Sequence, residues 1–200
     1  EIKSLNSLGS LYCSLGQFTQ AQGLHYKALG IAEETREQRI KAWCLLGLSR
    51  AFLGARVFPK AEQYCLETLN AGDEEVNYQA SLTLGIVYLH QNRLSAVEAF
   101  ADTIRHCRNL LNKNENLYQV RYRLATAMVG QAICDPRWTD SNQRADLLVP
   151  AISEYHRALA ITAAPGVVRD ALHDLEFICA TGVEGLEPIF ALLGGALVDG

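Results

Sequence analysis

Apolar residues recur along this chain three and four positions apart, the spacing that gathers them on one face of an α-helix. Leu5, Leu8 and Tyr12 open the pattern in "LNSLGSLYCSLGQF" (residues 5–18), and it returns in "WCLLGLSRAFLGARVF" (43–58) and "SLTLGIVYLHQNRL" (81–94). The Leu-Gly pairs in these stretches keep a fixed interval: Gly9, Gly47 and Gly85 lie 38 residues apart, and Leu124-Ala125 follows 40 later. A second helical segment follows each, with small residues around a larger one: Ala21, His25 and Ala28; Ala61, Cys65 and Thr68; Ala151, Tyr155 and Ala158. The third repeat admits two registers, Ala96, Phe100 and Thr103 or Val97, Ala101 and Ile104. A period of this length with helical spacing in both halves predicts stacked helix hairpins, none able to bury its apolar stripe alone.

Turn residues punctuate the pattern. Gly16, Gly54 and Asn92 stand at predicted helix ends, where a left-handed residue is wanted. Pro59 falls in a first turn, where a missing N–H costs nothing, and Asp146 as N-cap would place Pro150 likewise. Pro165 and Gly166 break the chain, a helix then runs to about Ala180, Gly182 stops it, and Glu184 starts the last one. The expected organisation is a single array over 1–200: repeats at about 2–36, 37–73, 74–113 and 115–163, the last with an inserted loop 133–146, then a divergent hairpin 165–198.

With 200 residues and 49% hydrophobic content the chain can bury a substantial core. A net charge of −4 gives no basic surface for a sequence-independent grip on nucleic acid, so no direct nucleic-acid partner is expected. No run approaches the roughly 20 apolar residues of a membrane helix, and no charged-then-apolar leader opens the chain, so a soluble, cytoplasmic protein is expected. Glu1 already sits in a helical pattern, which reads as a segment of a longer polypeptide. The six cysteines, at 13, 44, 65, 107, 134 and 179, form no C-x-x-C pair, and five of them fall in helical patterns as small hydrophobes. His173-Asp174 reads as a surface histidine beside a solvated aspartate, with Cys179 about 240° away around the same helix. His106-Cys107 has no further ligand at metal spacing, and the standard nucleotide and hydrolase signatures are absent. The reading is therefore no enzyme, no metal and no cofactor.

The repeated residues resemble the tetratricopeptide repeat, whose pattern is W-x2-L-G-x2-Y, then A-x3-F, then A. Leu5, Leu8, Gly9, Tyr12, Ala21 and Ala28 carry it in the first repeat, Trp43, Leu46, Gly47 and Ala61 in the second, and Leu84, Gly85 and Tyr88 in the third. The resemblance covers about three quarters of the chain, with Arg50 in place of the tyrosine and Ala125 in place of the glycine. Its period exceeds the usual ~34 residues, as in arrays similar to those of bacterial signalling proteins and kinesin light chains. It implies an all-α, right-handed α-solenoid with a concave groove lined by the first helix of each pair. The matching positions are Lys3, Asn6, Ser10 and Cys13; Lys41, Cys44, Leu48, Ala51 and Phe52; Gln79, Leu82, Thr83, Ile86 and His90; and Gln119, Tyr122, Arg123 and Thr126. The positions that hold a terminal carboxylate in chaperone-binding members carry Asn6, Ser10, Leu45, Gln79 and Thr83, so no carboxylate clamp is expected.

In the insertion "ICDPRWTDSNQRAD", Trp138 reads as a plug over the groove between repeats. The tail "GLEPIFALLGGALV" is apolar around more of its circumference than a terminal cap, which implies cover by more chain, another domain or a second copy through this helix. The resemblance implies a scaffold or sensor that binds a protein or peptide within a larger bacterial signalling or regulatory protein. The alternatives are a small-molecule sensor of a signal-transduction ATPase or transcription regulator, and an oligomerisation segment.

Overall fold

A computed structural model describes residues 1–198; Asp199 and Gly200, the last two residues of the expected array, lie outside the described residues. The described residues form ten α-helices, one 3-10 turn and no strand: α1 (Ile2–Ser14), α2 (Phe18–Glu34), α3 (Gln38–Gly54), α4 (Phe58–Asn70), α5 (Glu74–His90), α6 (Ser95–Lys113), α7 (Tyr118–Ile133), the turn Pro136–Thr139, α8 (Ser141–Ile161), α9 (Pro165–Cys179) and α10 (Glu187–Val198). The chain divides inside α5 into two units, Glu1–Val87 and Tyr88–Gly200. In the first, α1 packs on α2, α2 on α3 and α3 on α4; in the second, α6 packs on α7 and α7 on α8. Each unit has the sequential helix-on-helix packing of a tetratricopeptide-like helical solenoid.

In the first unit the glycines of the Leu-Gly pairs make room for one ring. His25 of α2 is fully buried, and a Cβ on Gly9 or Gly47 would come within 2.7 or 2.3 Å of its imidazole. Three helices meet around that ring because two of them lack a side chain there. Ile2, Ala28, Ala32 and Cys44 continue the core, with Leu5, Leu29 and Ile40 against them.

In the second unit Phe100 of α6 takes the equivalent role, its ring 2.4 Å from where a Cβ on Gly130 of α7 would stand. Ala96, Phe100 and Thr103 are buried, whereas Val97 and Ala101 are exposed, which selects the first of the two registers. Tyr155 of α8 is also fully buried, with its hydroxyl 2.8 Å from that of Thr126.

The turns after α1, α3 and α5 share one geometry, which the turn after α2 repeats at Arg36 (φ 56°). Gly16 (φ 72°), Arg56 (φ 58°) and Asn92 (φ 53°) adopt the left-handed conformation. In each turn the following residue donates its N–H to a carbonyl of the last helical turn: Gln17 to Tyr12, Val57 to Phe52 and Arg93 to Tyr88, all at 2.9 Å. Gly54 does not fill the left-handed position expected of it. It is the last residue of α3, kept small by Phe18, whose ring lies 2.1 Å from where its Cβ would be.

The insertion is shorter and more ordered than a loop over 133–146. Asp140, not Asp146, caps α8, its carboxylate accepting the N–H of Asn142 at 2.9 Å. Pro150 therefore lies inside α8 rather than in its first turn. Asp135 accepts the backbone N–H of Arg137 at 2.9 Å and holds its guanidinium at 3.0 and 2.8 Å, which fixes the 3-10 turn. Trp138 is buried, with the Arg144 guanidinium 5.1 Å from its ring centroid. The chain breaks over residues 162–164 and Pro165 opens α9, while the last helix starts at Glu187, beyond Gly182 (φ 88°) and Gly185 (φ 92°), rather than at Glu184.

Candidate functional site

The first unit holds an open cleft of about 520 Å³ between the N-terminal halves of α1 and α3. Lys3, Asn6 and Ser7 line it from α1, and Arg39, Ile40 and Trp43 from α3. Helical spacing puts Lys3, Asn6 and Ser7 on one face of α1, and Arg39, Ile40 and Trp43 on one face of α3. Trp43 is half-buried and rests against the cluster of Ala42, Leu46, Val76 and Ala80, so one side of its indole is supported from below. Arg39 is held at the rim by Glu75 and, at 3.7 Å, by Asp73. Asn6 is fixed from the core: its side-chain oxygen lies 2.7 Å from Nδ1 of His25, which donates from the neutral ring. The buried Nε2 of that ring has no hydrogen-bond partner, and burial depresses the imidazole pKa to about 4. A neutral His25 therefore underlies Asn6 at neutral pH.

The eighteen residues expected along one groove fall thirteen in the first unit and five in the second. Asn6 lines the cleft. Ser10 is exposed, its hydroxyl donating to the Asn6 carbonyl at 3.1 Å, and Cys13 is half-buried. Lys41 pairs with Glu33 at 2.9 Å, and Gln79 donates to the hydroxyl of Tyr78 at 3.1 Å.

Cys44, Leu48, Ala51, Phe52, Leu82, Thr83 and Ile86 depart from a ligand-facing role: all are buried within the chain's own packing. Phe52 stacks on Tyr64 at 5.6 Å and meets Tyr26 edge-on at 6.3 Å. Burial also pushes the Cys13 and Cys44 thiols up to about 11 and those of Cys65 and Cys107 up to about 12. These are inert thiols at neutral pH.

In the second unit Gln119 is exposed, but the other expected residues are taken by the chain itself. Nε2 of His90 lies 2.9 Å from the Phe177 carbonyl of α9. The Tyr122 hydroxyl donates to the Thr162 carbonyl at 2.8 Å. Arg123 pairs with Asp174, which is 1% exposed and so not the solvated aspartate its sequence context suggests. Arg121 likewise pairs with Glu154, which also takes Arg157 at 3.1 Å. Both arginines bind carboxylates of the chain itself, on α8 and α9. A buried pair of this kind is costly to break, since removing one partner strands the other's charge.

Sequence reasoning took Trp43 for a packing residue only and did not single out Ser7, Arg39 or Ile40. The repeat motif marks Trp43 as a core position, and nothing in its spacing says that one edge of the indole stays open.

The model of the tetratricopeptide repeat family matches residues 1–73, the span of α1 to α4 that carries the glycine-seated ring and the cleft. Residues 1–73 are tetratricopeptide repeats. No curated protein and no solved structure matches the chain. Tetratricopeptide repeats are protein-interaction modules, non-catalytic scaffolds that bind proteins or peptides. Among the described residues no helix is long and apolar enough to cross a membrane, and no group of three or more His, Cys, Asp or Glu residues is placed to hold a metal ion.

Proposed function

We propose that this protein is a peptide-binding scaffold whose first unit takes a segment of a partner protein into the cleft between α1 and α3. One observation carries the reading: Trp43 presents a half-buried indole, supported by the core, to a cleft that Asn6 and Lys3 also line. An aromatic floor supplies contact area at low entropic cost, and an amide with both donor and acceptor suits a peptide backbone. Lys3 has no ion-pair partner among the described residues and is available to a carboxylate. The long repeat period supports a place within a larger bacterial signalling or regulatory protein, by its similarity to such arrays.

Random 12-residue peptides selected on the full chain test the site by fluorescence polarisation. Trp43→Ala and Asn6→Ala are expected to weaken a class of the selected peptides by ~30-fold, the scale of an interface hot spot. Unchanged affinity of every selected peptide in both variants, with circular dichroism intact, would refute the assignment.

A further inference from the structure

The insertion walls a groove in the second unit. Between α6, α7 and α8 lies a groove of about 530 Å³, lined by Val97, Met128, Leu147 and Pro150 and walled by Pro136 and Arg137 of the insertion. A second hollow of about 450 Å³, lined by Arg105, Asn109 and Asn112, shares Arg108 and Gln131 with the first. The two run together along one flank of α6 from Val97 to Asn112, a length of roughly 22 Å at the rise of an α-helix.

The chemistry changes along that length. Val97, Met128, Leu147 and Pro150 make one end apolar, and Val97 stays 40% exposed. Pro150 brings no N–H, so the Asp146 carbonyl one turn earlier lacks its usual i+4 donor and remains an acceptor on that face. At the middle, the charges cancel except at one residue. Arg137 is held by both oxygens of Asp135, and Arg105 pairs with Asp102 at 2.7 Å. Arg108 is exposed and has no ion-pair partner among the described residues. Asn109, Asn112 and Gln131 supply amides at the far end. The Asp135–Arg137 fork, the buried Trp138 and the Asp140 cap tie the insertion down along its length.

We infer that this groove is a second docking surface, distinct from the cleft of α1 and α3, and that it takes an acidic segment of a partner protein. An aliphatic or aromatic side chain of the segment seats on Val97, Met128, Leu147 and Pro150. A carboxylate further along meets Arg108, and the amides take the backbone beyond it. A guanidinium with free donors at the rim of an apolar floor favours a carboxylate through paired, charge-assisted hydrogen bonds.

The test uses the random 12-residue library on the full chain, with each selected peptide measured against Arg108→Glu, Val97→Glu and Trp43→Ala. A class of peptides pairing Asp or Glu with a large apolar residue should lose at least ~10-fold in affinity on Arg108→Glu and on Val97→Glu, and keep it on Trp43→Ala. Raised salt should weaken the same class. Both groove substitutions fall on exposed positions, and circular dichroism checks that the fold persists. Peptides lost only on Trp43→Ala belong to the first cleft. If no peptide responds to Arg108→Glu, or those that do lack acidic residues, the second surface is refuted whatever happens at the first.

Discussion

The first unit seats an imidazole where the second seats a phenyl ring. His25 lies against Gly9 and Gly47, Phe100 against Gly130, and in each case the ring fills the volume of a side chain that its neighbour lacks. Both rings are fully buried. The difference lies in what the rings demand. A phenyl ring needs only contact, whereas an imidazole brings two polar nitrogens into the core, of which Asn6 satisfies one and nothing satisfies the other. The aromatic position of the repeat therefore admits a polar ring, at the cost of making one unit sensitive to acid.

Three measurements sharpen the contrast, helped by a single tryptophan in each unit: Trp43 reports the first and Trp138 the second. The largest effect is expected from Phe100→Ala, which should cost the second unit about 3–5 kcal/mol through lost burial and a residual cavity. Urea unfolding followed by Trp138 in a Trp43→Phe background reads it, and a loss below about 1 kcal/mol would mean that α6 and α7 collapse onto the space.

Acid should come next, and act on the first unit. The folded His25 pKa of about 4 lies below the ordinary 6.5, so the unfolded chain binds the proton first. Stability is full above pH 6.5 and falls as pH drops toward 4, by about 3 kcal/mol in all. Unfolding followed by Trp43 should show this loss, and His25→Phe should abolish most of it. An equal loss in the variant would assign the acid sensitivity to other groups. The smallest effect is expected at the insertion, where Asp140→Ala removes the cap of α8 and should cost about 1 kcal/mol. Asp146→Ala should cost less than that, and the reverse order would return the cap to Asp146.

How much of this was legible in the sequence follows from particular residues. The 38-residue spacing of Gly9 and Gly47 located both hairpins of the first unit, because a glycine that must admit a ring has no substitute. Asn92 was legible as a left-handed turn for the same local reason. Gly54 misled because glycine serves two ends: it permits a positive φ, and it also permits Phe18 to approach, which is its role here. Arg56 carries the positive φ instead, at a position where its sequence gives no sign of it. The cap of α8 was misplaced because Asp146 stands directly before the apolar run 147–149, whereas Asp140 precedes the polar residues 141–144 and shows itself as the cap only through the hydrogen bond from Asn142.

The candidate site was less legible than the fold. Helical spacing says which residues share a face, but it does not say what the next element lays over that face. Tyr122 and Arg123 of α7 and His90 of α5 are each met by the chain itself, through the Thr162 carbonyl at the end of α8 and through Asp174 and the Phe177 carbonyl of α9. Leu48 and Phe52 vanish into packing, while Trp43, a motif residue, keeps an edge in an open cleft.

The sequence by itself determined the helices, their pairing and the small residues on which the rings sit, since these depend on spacing within the chain. Tertiary structure alone decided which of those faces stay open, which carboxylate each arginine meets and how the insertion walls a groove. Those outcomes depend on contacts between residues far apart in sequence, and no local period encodes them.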